Sequence, residues 1–245
     1  EIVEAAHPVP DAAGQAATER MLTLLQGLGE DDFVLALISG GASSLLVAPS
    51  TGITLPEKQE VNAALLASGA PIQQMNVVRK HLSRVKGGQL AAPATMLSLM
   101  ISDVPGDDMS MIGSGPTVGD ASVNSDATAI LERWGIAVPN SVTEALQKRS
   151  GVVAPDDVRL SRVKNRIYAA PRQSLDAAEA LATNAGLRVV RLGNDVEGEA
   201  RQVARQHAER ALAEQAKLSA GDKPVVLLSG GELTVTRRGN GVGGP

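Results

Sequence analysis

The chain reads as an α/β protein in two domains, a larger and a smaller one, each built on parallel strands with helices against them. Three observations carry this prediction. Short apolar runs alternate with stretches of helical periodicity along nearly the whole sequence. Two of those runs, 34–38 and 225–228, break into the same tripeptide, Ser39-Gly40-Gly41 and Ser229-Gly230-Gly231. The length of 245 residues, with 43% hydrophobic and 20% charged, supports a full core and suits two modest domains. A polar stretch over 139–164 puts the boundary near residue 160, giving domains 1–160 and 161–245.

The elements follow in order. Residues 12–25 have apolar positions at helical spacing, 33–38 read as a buried strand, and 57–68 read as a helix opened by Pro56. In the next helix Met75, Val78, Leu82 and Val85 form an apolar stripe, while Asn76, Arg79, Lys80, Ser83 and Lys86 share another face. Gly87-Gly88 supplies its left-handed stop. A buried strand over 96–101 precedes a long loop, and a helix over 125–134 takes Ser125 as its N-cap. Beyond the boundary, strands at 166–170, 188–192 and 224–228 enclose helices at 174–185 and 197–218, a βαβαβ unit.

Composition narrows the function. A net charge of −4 and single Phe33, Trp134 and Tyr168 residues speak against nucleic-acid partners, because they offer neither a general basic pull nor stacking platforms. There is no cysteine, hence no disulfide framework and no thiolate chemistry, which suits a cytoplasmic protein. No apolar stretch reaches the length of a membrane helix. The first residue is Glu1 rather than Met, so the sequence is expected to begin inside a longer protein.

The chemistry gathers in a few places. A strand that breaks into glycines brings backbone N–H groups to an anion, which makes both Ser-Gly-Gly turns candidate cradles. The cationic face of the 76–86 helix suits a carboxylate or phosphate; the competing reading is a solvated face with Arg84 and Lys86 answering the helix dipole. Asp103 stands at the carboxyl end of a strand, where α/β proteins bind ligands, with Asp107 and Asp108 close behind. These carboxylates could hold Mg²⁺ or take a proton from a hydroxyl, or Asp107 and Asp108 could simply make a turn and a cap. Gly113-Ser114-Gly115-Pro116-Thr117 is a third loop able to converge on a phosphate. Cations, acidic strand end and glycine turns together form a phosphoryl-transfer inventory. Gly239, Gly241 and Gly244 match GxGxxG, but they follow Arg237-Arg238 rather than a buried strand, so the match is spurious. His7, His81 and His207 lack zinc-site spacing.

Five segments carry a family resemblance: AAHPVPD (5–11), LISGGASSLL (37–46), NVVRKHLSRVKGGQLA (76–91), ISDVPGDDMSMIGSGPT (101–117) and LLSGGELTVTRRGNGVGG (227–244). In that order they resemble the glycerate 2-kinase family, whose members end in a MOFRL-type domain and are often labelled hydroxypyruvate reductase. The resemblance implies a Rossmann-like larger domain, a smaller MOFRL-type α/β domain, and ATP- and Mg²⁺-dependent phosphorylation of D-glycerate in a cleft between them. Carried over by position, it gives Ser39, Gly40, Gly41, Ser43 and Ser44 as cleft lining. It gives Asn76, Arg79, Lys80 and Lys86 as anion contacts, with Lys86 and Arg79 among the catalytic residues. Asp103 becomes the base or metal carboxylate, with Asp107 as a second metal ligand. Ser114, Gly115 and Thr117 become phosphate cradle, and Gly230, Gly231 and Glu232 the smaller domain's contribution. A homodimer is the candidate assembly.

The sequence also departs from the family. An N-terminal GKA-type lysine segment and a GGRNQE continuation are expected and do not occur between Glu1 and Pro245, so the chain reads as truncated at both ends. Two rivals to the kinase reading stand: a nicotinamide-dependent hydroxypyruvate reductase and a non-catalytic anion-binding protein. Ser39-Gly40-Gly41 is expected to share the larger domain with Asp103.

Overall fold

The computed structural model describes residues 1–91, 94–148 and 150–236. It divides into two compact units, Glu1–Ile101 with Met109–Tyr168, and Ser102–Asp108 with Ala169–Pro245. The chain therefore leaves the first unit for seven residues after its central strand and returns. A strand end carrying three aspartates (Asp103, Asp107, Asp108) is grouped with the second unit.

In the first unit α1 (Ala12–Gln26) begins at Asp11, whose carboxylate accepts from the Gly14 N–H at 2.9 Å. β1 (Phe33–Ile38) pairs in parallel with β2 (Thr95–Ile101), Phe33 opposite Thr95 through Ile38 opposite Met100. β3 (Val163–Ala169) lies on the other side of β2. The run that sequence reading takes as a βαβαβ unit is thus split: its first strand completes the first sheet. β1 is also not buried throughout. Strand geometry sends alternate side chains to opposite faces, and Phe33, Leu35 and Leu37 are exposed while Ile38 is buried.

Four helices pack into a separate apolar cluster. These are α3 (Leu55–Ser68), α4 (Ile72–His81), α5 (Asn124–Arg133) and α6 (Asn140–Gln147), which bring together Val61, Leu65, Val78, Leu82, Ile130 and Val142. α3 starts with a reciprocal cap: Glu57 N–H donates to the Thr54 hydroxyl, and the Thr54 N–H donates to the Glu57 carboxylate. α5 begins one residue earlier than expected. Asp126, not Ser125, satisfies its free end by accepting from the Val123 N–H at 2.8 Å. α6 falls in the stretch read as a polar boundary, where Val142 and Leu146, four apart, bury one side of an otherwise polar sequence.

α4 stops at His81, five residues before Lys86. Ser83 instead bridges Pro49 in antiparallel fashion, and Arg84 N–H donates to Ala48 O at 2.9 Å. Gly87 and Gly88 do have positive φ, +60° and +78°. Their N–H groups donate to Ser114 O and Gly115 O at 3.1 and 2.8 Å, so they join this turn to the Gly113–Gly115 turn rather than end a helix.

The second unit is a parallel pair, β4 (Arg188–Glu199) with β5 (Val225–Thr234), with α7 (Pro171–Asn184) and α8 (Ala200–Gln215) against it. Both strands run longer than expected. β5 continues through Ser229-Gly230-Gly231, so this tripeptide is strand and not a turn. Gly231 lies opposite Val196 at φ +140°, and a β-carbon there would come within 2.1 Å of Val196 O. Glycine is required by the close approach of two backbones.

Candidate functional site

Two polar sites emerge, one in each unit. In the first, β1 ends at Ile38 and the chain turns through exposed Ser39 and Gly40 to Gly41, whose φ of +82° opens the one-turn helix α2 (Ala42–Leu45). α2 presents two serines with different fates. The Ser44 hydroxyl donates to Pro8 O at 2.8 Å and fastens the N-terminal segment. Ser43 Oγ lies 2.9 Å from Ser114 Oγ, which donates to Asn76 Oδ1 at 3.3 Å. The same amide oxygen receives Arg79 Nη1 at 3.4 Å. Three segments thus converge on a node of Ser43, Asn76, Arg79 and Ser114. Ser114 is there because its own φ is +64° between two glycines at +60°. Gly115 cannot be larger, since a β-carbon would meet Ser110 O at 2.8 Å.

The cations around this node are buried, not solvated. Lys86 is 1% exposed and donates to Ser43 O at 2.8 Å, with Leu46 O and Gly113 O at 3.4 Å. It clamps the α2 turn to the Gly113 loop. Lys58 of α3, also buried, donates to Leu82 O at 2.7 Å, at the C-terminal end of α4 where a cation answers the helix dipole. Arg79 donates from Nε to Asn62 Oδ1 at 2.8 Å. Among the ion pairs of the described residues none involves Lys58, Arg79 or Lys86. Burial lowers the Lys58 pKa to about 7, with the charge of Arg79 adding to the shift. Burial likewise lowers Lys86, and the charges of Lys58 and Arg79 push it further. Burial alone lowers Arg79. Three cations held together without a carboxylate leave a positive field that an anion would relieve.

Lys80 differs. Its ammonium, 2% exposed, meets Asp120 at 2.5 Å, and Asp120 also accepts from the Ser122 N–H at 2.8 Å. Although burial raises the Asp120 pKa, the bonds from Lys80 and Ser122 outweigh it and the net direction is down. Lys80 is thus spent on an internal pair. His81, next along, bonds Ser150 and Ser122 through its two ring nitrogens at 2.8 and 3.1 Å. Thr117 is buried, with its hydroxyl 3.1 Å from Ser98 Oγ and 2.7 Å from Asn165 Oδ1, and it anchors the loop to the sheet.

The second site lies within the second unit. The loop after β2 folds against β4, and a cleft of about 330 Å³ forms, lined by Asp103, Asp107, Asn194, Gly230, Gly231 and Glu232. Asp103 is thus grouped with the second unit, not with the larger one as expected, and lines this cleft beside the second Ser-Gly-Gly. Asp107 sits at φ +57° in the tight turn Pro105–Asp107. No three acidic or histidine side chains of the described residues stand close enough to hold a metal among themselves. Magnesium takes one or two carboxylates and completes its shell with water and phosphate oxygens. The donor set therefore fits a Mg²⁺ that arrives with a phosphate, and not a protein-only cage. A roomier cleft of about 450 Å³ beside α5 and α6 is lined by Leu131, Ile136, Val138 and Leu146 together with Glu132, and by no lysine or arginine of the described residues.

Sequence reading missed Lys58, Asn62 and Asp120, which come to the site through helix packing and a return loop. The only advance signal was that Lys58 and Asn62 lie four apart on α3. The GxGxxG match at 239–244 is outside the described residues. Among the described residues no helix is long and apolar enough to cross a membrane.

Comparison with known proteins adds the following. Residues 1–147 match a family described as Domain of unknown function (DUF4147). A D-glycerate 2-kinase of Thermotoga maritima is 40% identical across all of this chain and 58% of its own length. A crystal structure of a glycerate kinase from the same organism superposes with a TM-score of 0.83 at 40% identity, covering 98% of this chain and 57% of that one. An Agrobacterium vitis protein named "Putative hydroxypyruvate reductase" is 50% identical over 96% of this chain and 54% of its own length. The chain thus spans little more than half the length of these relatives.

Proposed function

The chain belongs to the DUF4147 family, and from that premise we propose that it is the substrate-binding part of a D-glycerate 2-kinase. The observation that carries this is the convergence of Ser43, Asn76, Arg79 and Ser114 beside buried cations, Lys58 and Lys86, that pair with no carboxylate among the described residues. The similarity to a D-glycerate 2-kinase along the whole chain supports the choice of reaction.

In this reading the first site binds a phosphate or a carboxylate. Arg79 and the Ser43 and Ser114 hydroxyls supply its donors, and Lys86 holds the loops that carry those hydroxyls. Ser39, Gly40 and Gly41 offer backbone N–H groups at the same turn. In the second site Asp103 takes the proton of the 2-hydroxyl as its oxygen attacks the terminal phosphorus of ATP. The bond from that phosphorus to the ADP oxygen breaks, and the charge leaves with ADP. Mg²⁺ held by Asp103 or Asp107 with the phosphates would spread the charge of the transferring group. Gly230, Gly231 and Glu232 line that side.

The test is glycerate-dependent ADP release with ATP and Mg²⁺, by a polypeptide of the relatives' full length that contains this chain. No such release would overturn the reading. Asp103→Asn is expected to abolish turnover while circular dichroism stays unchanged, and near-normal turnover would remove Asp103 from the reaction. Oxidation of NADH or NADPH with hydroxypyruvate would favour the reductase instead. Phosphate binding without transfer would favour a non-catalytic binder.

A further inference from the structure

Arg79 is the least buried member of the cation group: Lys58 and Lys86 are buried, whereas Arg79 is half-buried. A guanidinium has five N–H donors in a fixed plane, so its aim is set by whichever groups hold its edges. One edge is held from its own helix, where Asn76 Oδ1 accepts from Nη1 at 3.4 Å. The other is held from α3, where Asn62 Oδ1 accepts from Nε at the shorter 2.8 Å. Both are neutral amide oxygens. They fix the plane without cancelling the charge, whereas a carboxylate at position 62 would neutralise the cation and compete with any bound anion.

Asn62 itself is placed by packing. It follows Val61, which is 2% exposed in the cluster that joins α3 to α4, and its i−4 neighbour Lys58 reaches Leu82 O at the end of α4. Two polar side chains on one side of α3 thus serve α4, one at its terminus and one at its arginine.

We propose that Asn62 is a positioning residue for anion binding: it holds Arg79 through Nε, so that the outer Nη donors stay turned to a phosphate or carboxylate. This rests on the reading of Arg79 as an anion contact. The experiment is therefore built to separate the two.

The probe is inorganic phosphate, titrated calorimetrically at low ionic strength into the 245-residue chain and its variants. The Arg79 Nε–H resonance is followed in parallel by ¹⁵N NMR. In the wild type that resonance is expected to be protected from solvent exchange and to shift with phosphate. Asn62→Ala is expected to remove the protection and weaken phosphate roughly tenfold, in the range of a lost hydrogen bond to a charged group, while the Trp134 fluorescence stays native. In an Arg79→Lys background, which has no Nε, Asn62→Ala is expected to change affinity no further. Asn62→Asp retains an acceptor and is expected to restore the protected resonance, and it guards against a folding defect in the alanine variant. An unchanged affinity and resonance in Asn62→Ala, with Arg79→Lys still weakened, would overturn the positioning role alone. Phosphate binding indifferent to Arg79→Lys, or absent from the wild type, would overturn the site reading and this inference with it.

Discussion

The two Ser-Gly-Gly sequences are identical, yet they need their glycines for different reasons. After β1 the strand stops, and Gly41 uses a left-handed φ of +82° to start a short helix. In β5 the strand continues, and Gly231 allows its backbone to come within 2.1 Å, measured from a hypothetical β-carbon, of Val196 O. The first tripeptide frees a turn and the second closes a strand pair. What separates them is the surroundings: the first stands next to buried charges held by a helical cluster, the second next to carboxylates on a loop and a strand edge. A motif of three residues fixes neither a conformation nor a site until the neighbouring strand is known.

That contrast is broken most severely through the buried charge of the first unit. Asp120→Ala leaves Lys80, 2% exposed, without a counter-charge. Removing one member of a buried ion pair costs about 3–5 kcal/mol. Urea unfolding followed by Trp134, the single tryptophan, which packs against the α3–α6 cluster, is expected to shift by that amount. Asp176→Ala, which breaks an exposed pair with Arg191 in the second unit, is expected to leave the Trp134 transition where it was.

Next come the glycines themselves. Gly231→Ala combines an unfavourable φ with overlap on a paired strand, roughly 1–3 kcal/mol for the overlap alone and more with the strain. Gly41→Ala meets only His7 and Leu45 side chains, at 3.4 Å and beyond, and is expected to cost about 1–2 kcal/mol from φ. Hydrogen exchange localises the two effects. The first is expected to deprotect β4 and β5, and the second to leave them unchanged. Equal losses would dissolve the distinction drawn between the two tripeptides.

Much of the architecture was legible, because apolar periodicity survives folding: α1, β1, β2 and α7 lie within a few residues of where spacing puts them. What spacing could not carry was tertiary pairing. The stripe through Met75, Val78, Leu82 and Val85 is continuous in sequence, but pairing of Ser83 with Pro49 and capture of Leu82 O by Lys58 end the helix at His81. Asp103 sits at a strand end as read, yet the excursion of Ser102–Asp108 into the second unit depends on contacts with β4 that no local pattern announces. The polar node was half visible. Arg79, Asn76 and Ser114 stood in motifs, whereas Lys58 and Asn62 sat in a stretch that reads only as a helix opened by Pro56.

The gentlest probe of the contrast is pH, because among the described residues the buried lysines all belong to the first unit. Lys58 has a folded-state pKa of about 7 against an ordinary 10.5, so between those values the unfolded chain binds more protons than the folded one. Stability therefore rises with pH above about 7, and the destabilisation is fully present below it. The slope is at most about 1.4 kcal/mol per pH unit for one group. Lys86, shifted in the same direction, adds to the rise, and His81, whose pKa is lowered from 6.5, does not titrate in this window. The Trp134 transition between pH 7 and 9 is expected to carry this slope, and Lys58→Met to flatten it. Added phosphate is expected to flatten it too, since an anion beside Arg79 favours the charged lysines and returns their pKa toward the ordinary value. A slope that ignores both would mean that the positive field around Asn76 and Ser114 is already neutralised, and the two Ser-Gly-Gly regions would then differ in backbone alone.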